Sequence, residues 1–202
     1  MARVDYVPVE EGFSPRKAKG GISERTLIRA EYDGYVAQLE PGMAGKIALN
    51  GVTQSFRPVE GLFGFTSHAH MVPPYAPLRT LILGYGEGQV EWLMRRVWGG
   101  VDVKGIDSVV ISGSGALSFD ALGYVKVAGV SGENFDYICV DLWVGDLGCN
   151  FVATVEFAKL LRVIGTNLIC VNTYVGSMVK EIYYDYFEYL REVVVGKNLV
   201  LW

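Results

Sequence analysis

The chain has 202 residues, 50% hydrophobic and 20% charged, with a formal net charge of −4. That length and apolar fraction suffice for one full core with a small appendage, and the mild acidity, with no basic run interleaved with aromatics, argues against a nucleic-acid partner. No apolar segment of signal-peptide length opens the sequence, and no uninterrupted apolar stretch approaches the roughly 20 residues of a membrane span; the expectation is a cytoplasmic protein with no membrane partner.

In chain order, residues 1–24 combine Pro8, Gly12, Pro15, Gly20 and Gly21 with mixed charge and read as an irregular arm. Short alternating segments follow at 26–31, 35–39, 46–49 and 52–56, separated by Asp33-Gly34, Pro41-Gly42 and Asn50-Gly51. Asp-Gly and Asn-Gly between such runs signal hairpins, so residues 25–57 are expected to form a small antiparallel β domain. Residues 58–78 link it onward, with a helix over 58–71 that the prolines from Pro73 to Pro77 end. From residue 79 to 202 the pattern alternates. Strands are expected at 80–83, 101–106, 124–127, 137–140, 168–171 and 198–202, and helices at 87–98, 151–163 and 178–195. This predicts an α/β, Rossmann-like, doubly wound and mostly parallel sheet behind the N-terminal β-hairpin domain.

The chemistry gathers around one stretch. The apolar run Thr80-Leu81-Ile82-Leu83 stops at Gly84, Gly86 and Gly88, and a helical pattern begins directly after them. A glycine-lined turn from strand to helix lets a ligand approach backbone N–H groups at the positive end of the helix. Asp107 ends the next strand about twenty residues on, the spacing of a ribose-binding acid. Asp141 ends a third apolar strand at the same edge of the sheet. Each also has a structural alternative: the glycines as a tight turn, Glu87 as a first-turn carboxylate favoured by the helix dipole, Asp107 and Asp141 as caps. His68 and His70 lack further ligands at metal spacing and read as packing or surface residues. Cys139, Cys149 and Cys170 show no paired spacing and read as free thiols, so no metal is expected.

The sequence Leu49-Asn50-Gly51-Val52-Thr53-Gln54, a helix containing His70, Leu81-Ile82-Leu83-Gly84-Tyr85-Gly86-Glu87-Gly88 and Phe135-Asp136-Tyr137-Ile138-Cys139-Val140-Asp141 together resemble the spermidine synthase family of polyamine aminopropyltransferases. The resemblance implies the fold of S-adenosylmethionine-dependent methyltransferases, a donor that is decarboxylated S-adenosylmethionine or S-adenosylmethionine itself, and a polyamine or other small acceptor. Carried over by position, Gly84, Gly86, Gly88 and Asp107 would hold the donor, Glu87 and Asp141 would be catalytic, and Gln54 and Asp146 would bind substrate. The family's ribose glutamate falls on Gly105, and its segment near the adenine falls on Ala128-Gly129-Val130-Ser131, followed by only a short loop before Phe135. A homodimer or larger homo-oligomer is implied, and the tyrosine-rich run from Tyr183 to Tyr189 suits core and subunit contact. The expected function is aminopropyl transfer from decarboxylated S-adenosylmethionine to a polyamine. The alternatives are a catalytically silent scaffold or subunit and an S-adenosylmethionine-dependent methyltransferase.

Overall fold

The computed structural model describes residues 4–8, 45–49, 52–56, 66–108, 115–144, 147–187 and 191–202. Strands β1 (Val4–Pro8), β2 (Gly45–Leu49) and β3 (Val52–Phe56) form an antiparallel sheet in the order β1-β2-β3, with Leu49 of β2 paired to Val52 of β3. Within the stretch read as an irregular arm, β1 pairs antiparallel with β2. The expected strands at 26–31 and 35–39 lie outside the described residues, as does most of the helix expected over 58–71. Its described part holds one short helix, α1 (Thr66–Ala69).

The main unit continues with β4 (Arg79–Leu83), α2 (Gln89–Trp98), β5 (Asp102–Asp107), β6 (Leu117–Ser118), α3 (Ala121–Ser131) and β7 (Phe135–Val140). A small hairpin of β8 (Trp143–Val144) and β9 (Leu147–Gly148) leads through a 3₁₀ turn to α4 (Val155–Ile164) and β10 (Gly165–Tyr174), then α5 (Val179–Tyr184), β11 (Glu192–Val195) and β12 (Asn198–Leu201). The seven-stranded sheet runs β11-β12-β10-β7-β4-β5-β6. Its five strands from β10 to β6 are parallel, and β12 and β11 close one edge antiparallel. The chain winds outward from β4 to β6, then returns to lay β7 against β4, so the winding reverses between β4 and β7.

Because strand side chains alternate, the sheet buries both faces. Leu81, Leu83, Ile106, Ile138 and Val140 pack against Tyr124, Val125, Phe157 and Leu161 of α3 and α4, while Ile82, Tyr137, Cys139 and Cys170 pack with Met71, Val90 and Met94 on the other face. Cys139 and Cys170 are register partners on β7 and β10, both fully buried and free, and burial pushes both thiols well above the ordinary range. The linker before β4 is tied to β7. Arg79 N and Leu78 N donate to the two carboxylate oxygens of Asp136 at 2.5 and 2.9 Å, and Tyr137 OH donates to Met71 O.

Two expected elements are corrected. The strand read at 124–127 is the middle of α3, whose Ala121, Tyr124, Val125 and Ala128 face the core at helical spacing. Asp120 caps its start by accepting from Gly123 N, and Gly132, at φ 73°, ends it in the left-handed region. A helix therefore does stand before Phe135, and Ala128 to Ser131 is its last turn. The β-branched Val125 and Val127 imitate strand alternation on a helix that is apolar on nearly all sides. The helix read over 178–195 stops at Tyr184, and Val193-Val194-Val195 instead enters a hairpin through Gly196-Lys197, with Gly196 at φ 59°. The tyrosine-rich run is thus divided. Tyr183 is fully buried and Tyr184 half exposed.

At the opposite end of the sheet from the glycine turn, Lys104 Nζ lies 2.6 Å from Glu133 Oε2, which also accepts from Tyr124 OH at 3.1 Å. The hydrogen bond from Lys104 holds the Glu133 carboxyl below its ordinary range and raises the lysine. A carboxyl depressed in the folded state stabilises above its unfolded pKa, and that stability is lost as pH falls through the folded value. In thermal melts, Glu133→Gln should lower Tm at pH 7, and the gap from wild type should shrink as pH drops below about 4. In urea titrations, Phe157→Ala should cost about 3–5 kcal/mol, while removing the α4 cap with Thr154→Ala should cost about 1 kcal/mol.

Candidate functional site

The strand β4 ends where the winding reverses, and this is where open α/β sheets bind ligands. Gly84, at φ 83°, sits so close to the end of β7 that an added Cβ would lie 2.0 Å from Asp141 O. Leu83 O accepts from Asp141 N at 2.8 Å, so β4 and β7 diverge from one fixed point. The turn is braced against β5. Gly84 N and Tyr85 N both donate to Ile106 O, at 2.9 and 3.2 Å, and Gly88 N donates to Tyr85 O at 2.9 Å. Gly86 N donates to Asp107 Oδ2 at 2.7 Å. The acid expected to meet a ribose therefore holds the turn that would meet the rest of the donor. Glu87 is buried, 7% exposed, immediately before the first turn of α2.

Tyr85 fills the side of the turn nearest β5. Its ring lies across Gly105, where an added Cβ would be 2.2 Å from Cδ2, and its hydroxyl is 2.7 Å from where a Cβ of Gly88 would be. That hydroxyl donates to Glu91 Oε2 at 2.6 Å, and Arg95 Nε donates to Glu91 Oε1 at 2.6 Å. Burial, then the hydrogen bond to Glu91, keeps the phenol protonated far above its ordinary range.

Asp141 is the hub on the β7 side. Trp143 Nε1 and Asn172 Nδ2 donate to its Oδ1 at 2.9 and 2.8 Å, and His68 Nε2 lies 3.0 Å from Oδ2. Three surrounding nitrogens, from α1, β8 and β10, suit a carboxylate. His68, read from sequence as a packing or surface residue, is 5% exposed and bound to the one residue with the strongest catalytic claim. Nothing local announces that pair.

A further acid was missed for want of the right strand. Phe119-Asp120-Ala121 follows β6, the topological place of the segment sought at Ala128 to Ser131. Cys149 stands nearby: burial raises its thiol, with Asp120 and Asp107 as the next causes. The structure thus aligns Glu87, Asp107, Asp120 and Asp141 along the carboxyl edge of four neighbouring strands, β4, β5, β6 and β7. Gln54 lies in the middle of β3, in the three-stranded sheet, and Asp146 falls outside the described residues. Among the described residues, no group of three or more His, Cys, Asp or Glu is placed to hold a metal ion, and no helix is long and apolar enough to cross a membrane.

Strand order, turn and switch point together define the α/β Rossmann-like fold of S-adenosylmethionine-dependent methyltransferases. Solved structures agree. A probable spermidine synthase from Corynebacterium glutamicum shares 17% identity over 78% of this chain and 71% of its own, with a TM-score of 0.61. A spermidine synthase in complex with the transition-state analogue AdoDATO shares 14% over 83% and 71%, TM-score 0.58. Human methyltransferase-like protein 13, in complex with SAH, shares 15% over 66% and 74%, TM-score 0.54. No protein-family model matches the sequence, and no curated protein sequence does.

Removing the imidazole leaves Asp141 Oδ2, partly buried, without its histidine partner. His68→Ala should lower stability in urea by about 1–3 kcal/mol.

Proposed function

We propose that this protein is a transferase that takes an S-adenosylmethionine-type donor at the β4–α2 turn and passes its transferable group to a small nucleophile held at Asp141. The observation that carries the reading is the carboxylate of Asp141, fixed by three nitrogens at the switch point beside the turn. An edge lined by Glu87, Asp107, Asp120 and Asp141 favours cations, and both a sulfonium donor and an amine acceptor are cationic in water. The structural likeness to spermidine synthases and to a methyltransferase bound to SAH supports the donor class.

The finer reading is aminopropyl transfer from decarboxylated S-adenosylmethionine to a polyamine. The donor supplies a carbon on a positively charged sulfur, which leaves as a neutral thioether with the bonding electrons as the new C–N bond forms. The chain does the rest by placement. Asp141 uses three of the roughly four lone-pair directions of a carboxylate on its partners and keeps one for the attacking amine, which is a nucleophile only once it has lost its proton. Glu87 holds the cationic part of the donor near the turn, and alignment of amine and carbon supplies much of the rate. Gln54 and Asp146 as substrate contacts and a homodimeric or larger assembly belong to the same proposal. Methyl transfer from S-adenosylmethionine needs the same edge and the same displacement, and the likeness to human methyltransferase-like protein 13 favours it as the second reading.

The test is calorimetry of the full chain against S-adenosylmethionine, its decarboxylated form, methylthioadenosine and S-adenosylhomocysteine, with and without putrescine. Micromolar binding of one of them, about −8 kcal/mol, is the expected result. Preference for the decarboxylated donor or methylthioadenosine supports aminopropyl transfer, preference for S-adenosylmethionine supports methyl transfer, and no binding sinks both. Asp141→Asn should leave nucleoside affinity within a few-fold and cut turnover by roughly 10²–10⁴; unchanged turnover removes Asp141 from the chemistry.

A further inference from the structure

The turn that carries the proposed donor site holds a large side chain at its centre. Tyr85 stands between Gly84 and Gly86. Its ring is fitted into a slot whose walls are glycines: Gly105 on β5, where an added Cβ would be 2.2 Å from Cδ2; Gly88 on the turn, 2.7 Å from the hydroxyl; and Gly115, 3.6 Å from it. Gly105 is not among the positive-φ glycines, and the three nearest atoms to an added Cβ there all belong to the Tyr85 ring. The hydroxyl is anchored by Glu91, whose other oxygen is taken by Arg95. A ring walled by glycine and pinned at its far end is a built feature of the turn, not a side chain adrift over it.

Its place is informative. In a nucleotide-binding βαβ unit, an acid near the end of the second strand, about twenty residues past the glycine turn, accepts from the sugar hydroxyls. Two positions here answer to that spacing. Asp107 spends an oxygen on Gly86 N, and Gly105, paired with Ile82 of β4, has no side chain and lies under the ring. We propose that Tyr85 is the specificity-determining residue of the donor site, its ring filling the volume over Gly105 through which a side chain of β5 would meet the sugar of an S-adenosyl nucleoside. This rests on the reading of the turn as a donor site. The consequence is steric and electrostatic together: ribose meets an aromatic edge in place of a carboxylate, and the micromolar affinity of the natural protein for S-adenosyl nucleosides is held below what the turn would otherwise allow by one side chain. A glutamate cannot simply be added at 105, because its Cβ would collide with Tyr85; both positions must change together.

The experiment is calorimetry with S-adenosylhomocysteine on the full-length wild type, Tyr85→Ala, Tyr85→Leu and the double variant Tyr85→Gly with Gly105→Glu, each checked for a cooperative melt. Tyr85→Ala and Tyr85→Leu should bind at least tenfold tighter than wild type. The double variant should bind tighter still and prefer S-adenosylhomocysteine to its 2′-deoxy analogue. A folded Tyr85→Ala or Tyr85→Leu that binds no better than wild type overturns the proposal, and so does failure of both truncations to fold, which would make the ring part of the core. The two readings separate cleanly. Binding by Tyr85→Ala with none by wild type supports the role of Tyr85 and sinks donor transfer by the natural protein; tight wild-type binding with no gain on truncation does the reverse.

Discussion

The contact between Gly84 and the backbone of Asp141 fixes the rest of the molecule. Any side chain at 84 would drive a carbon to 2.0 Å from a carbonyl oxygen, so only glycine lets β4 and β7 leave the sheet side by side. From that one approach follow the turn into α2, whose Val90 and Met94 pack with Ile82, Tyr137 and Cys139, and the position of Asp141 beside the turn. The Leu83 O to Asp141 N bond lies at the end of the ladder between the two strands, and Gly84 stays packed against Asp141 one residue beyond it. A crevice at a switch point is a consequence of winding; the close approach of its two walls at Gly84 depends on one missing methyl group.

Around this point the polar groups are organised as two brackets. On the β5 side, Asp107 and the carbonyl of Ile106 grip the turn, and Tyr85, Glu91 and Arg95 stiffen it. On the β7 side, Asp141 gathers His68, Trp143 and Asn172 from three separate elements. A carboxylate with several hydrogen-bond partners is held rigidly and presents what remains of its acceptor capacity in one direction. The acidic edge is thus held in place before any ligand arrives, a preorganisation that costs nothing further at the moment of reaction.

The sequence made the central unit readable because its signals are local. An apolar run, alternating glycines and a helical pattern lie within some twenty residues, and Asp141 closes an unbroken apolar strand. Two elements were not readable for equally local reasons. Valines gave α3 a false alternation on a helix whose polar face is almost absent, and the valines before Gly196-Lys197 lay where a long amphipathic helix also fitted. Misplacing α3 then hid Asp120, since the residue to look for depends on which strand precedes it. The site's side-chain partners were beyond local reach altogether. His68 and Asp141 are 73 positions apart, Asn172 and Asp141 are 31, and the packing of the Tyr85 ring over Gly105 exists only in the folded chain.

The paired thiols of β7 and β10 give the protein a built-in chemical clock. Cys139 and Cys170 face one another across neighbouring parallel strands with no exposure, whereas Cys149 is only half buried at the rim. A thiol reagent can modify the first two only when the centre of the sheet separates, so their rate of alkylation follows the least frequent opening of the molecule, while Cys149 reports on the rim alone. Comparing the two rates distinguishes local loosening of the edge from loss of the whole sheet without any label being introduced.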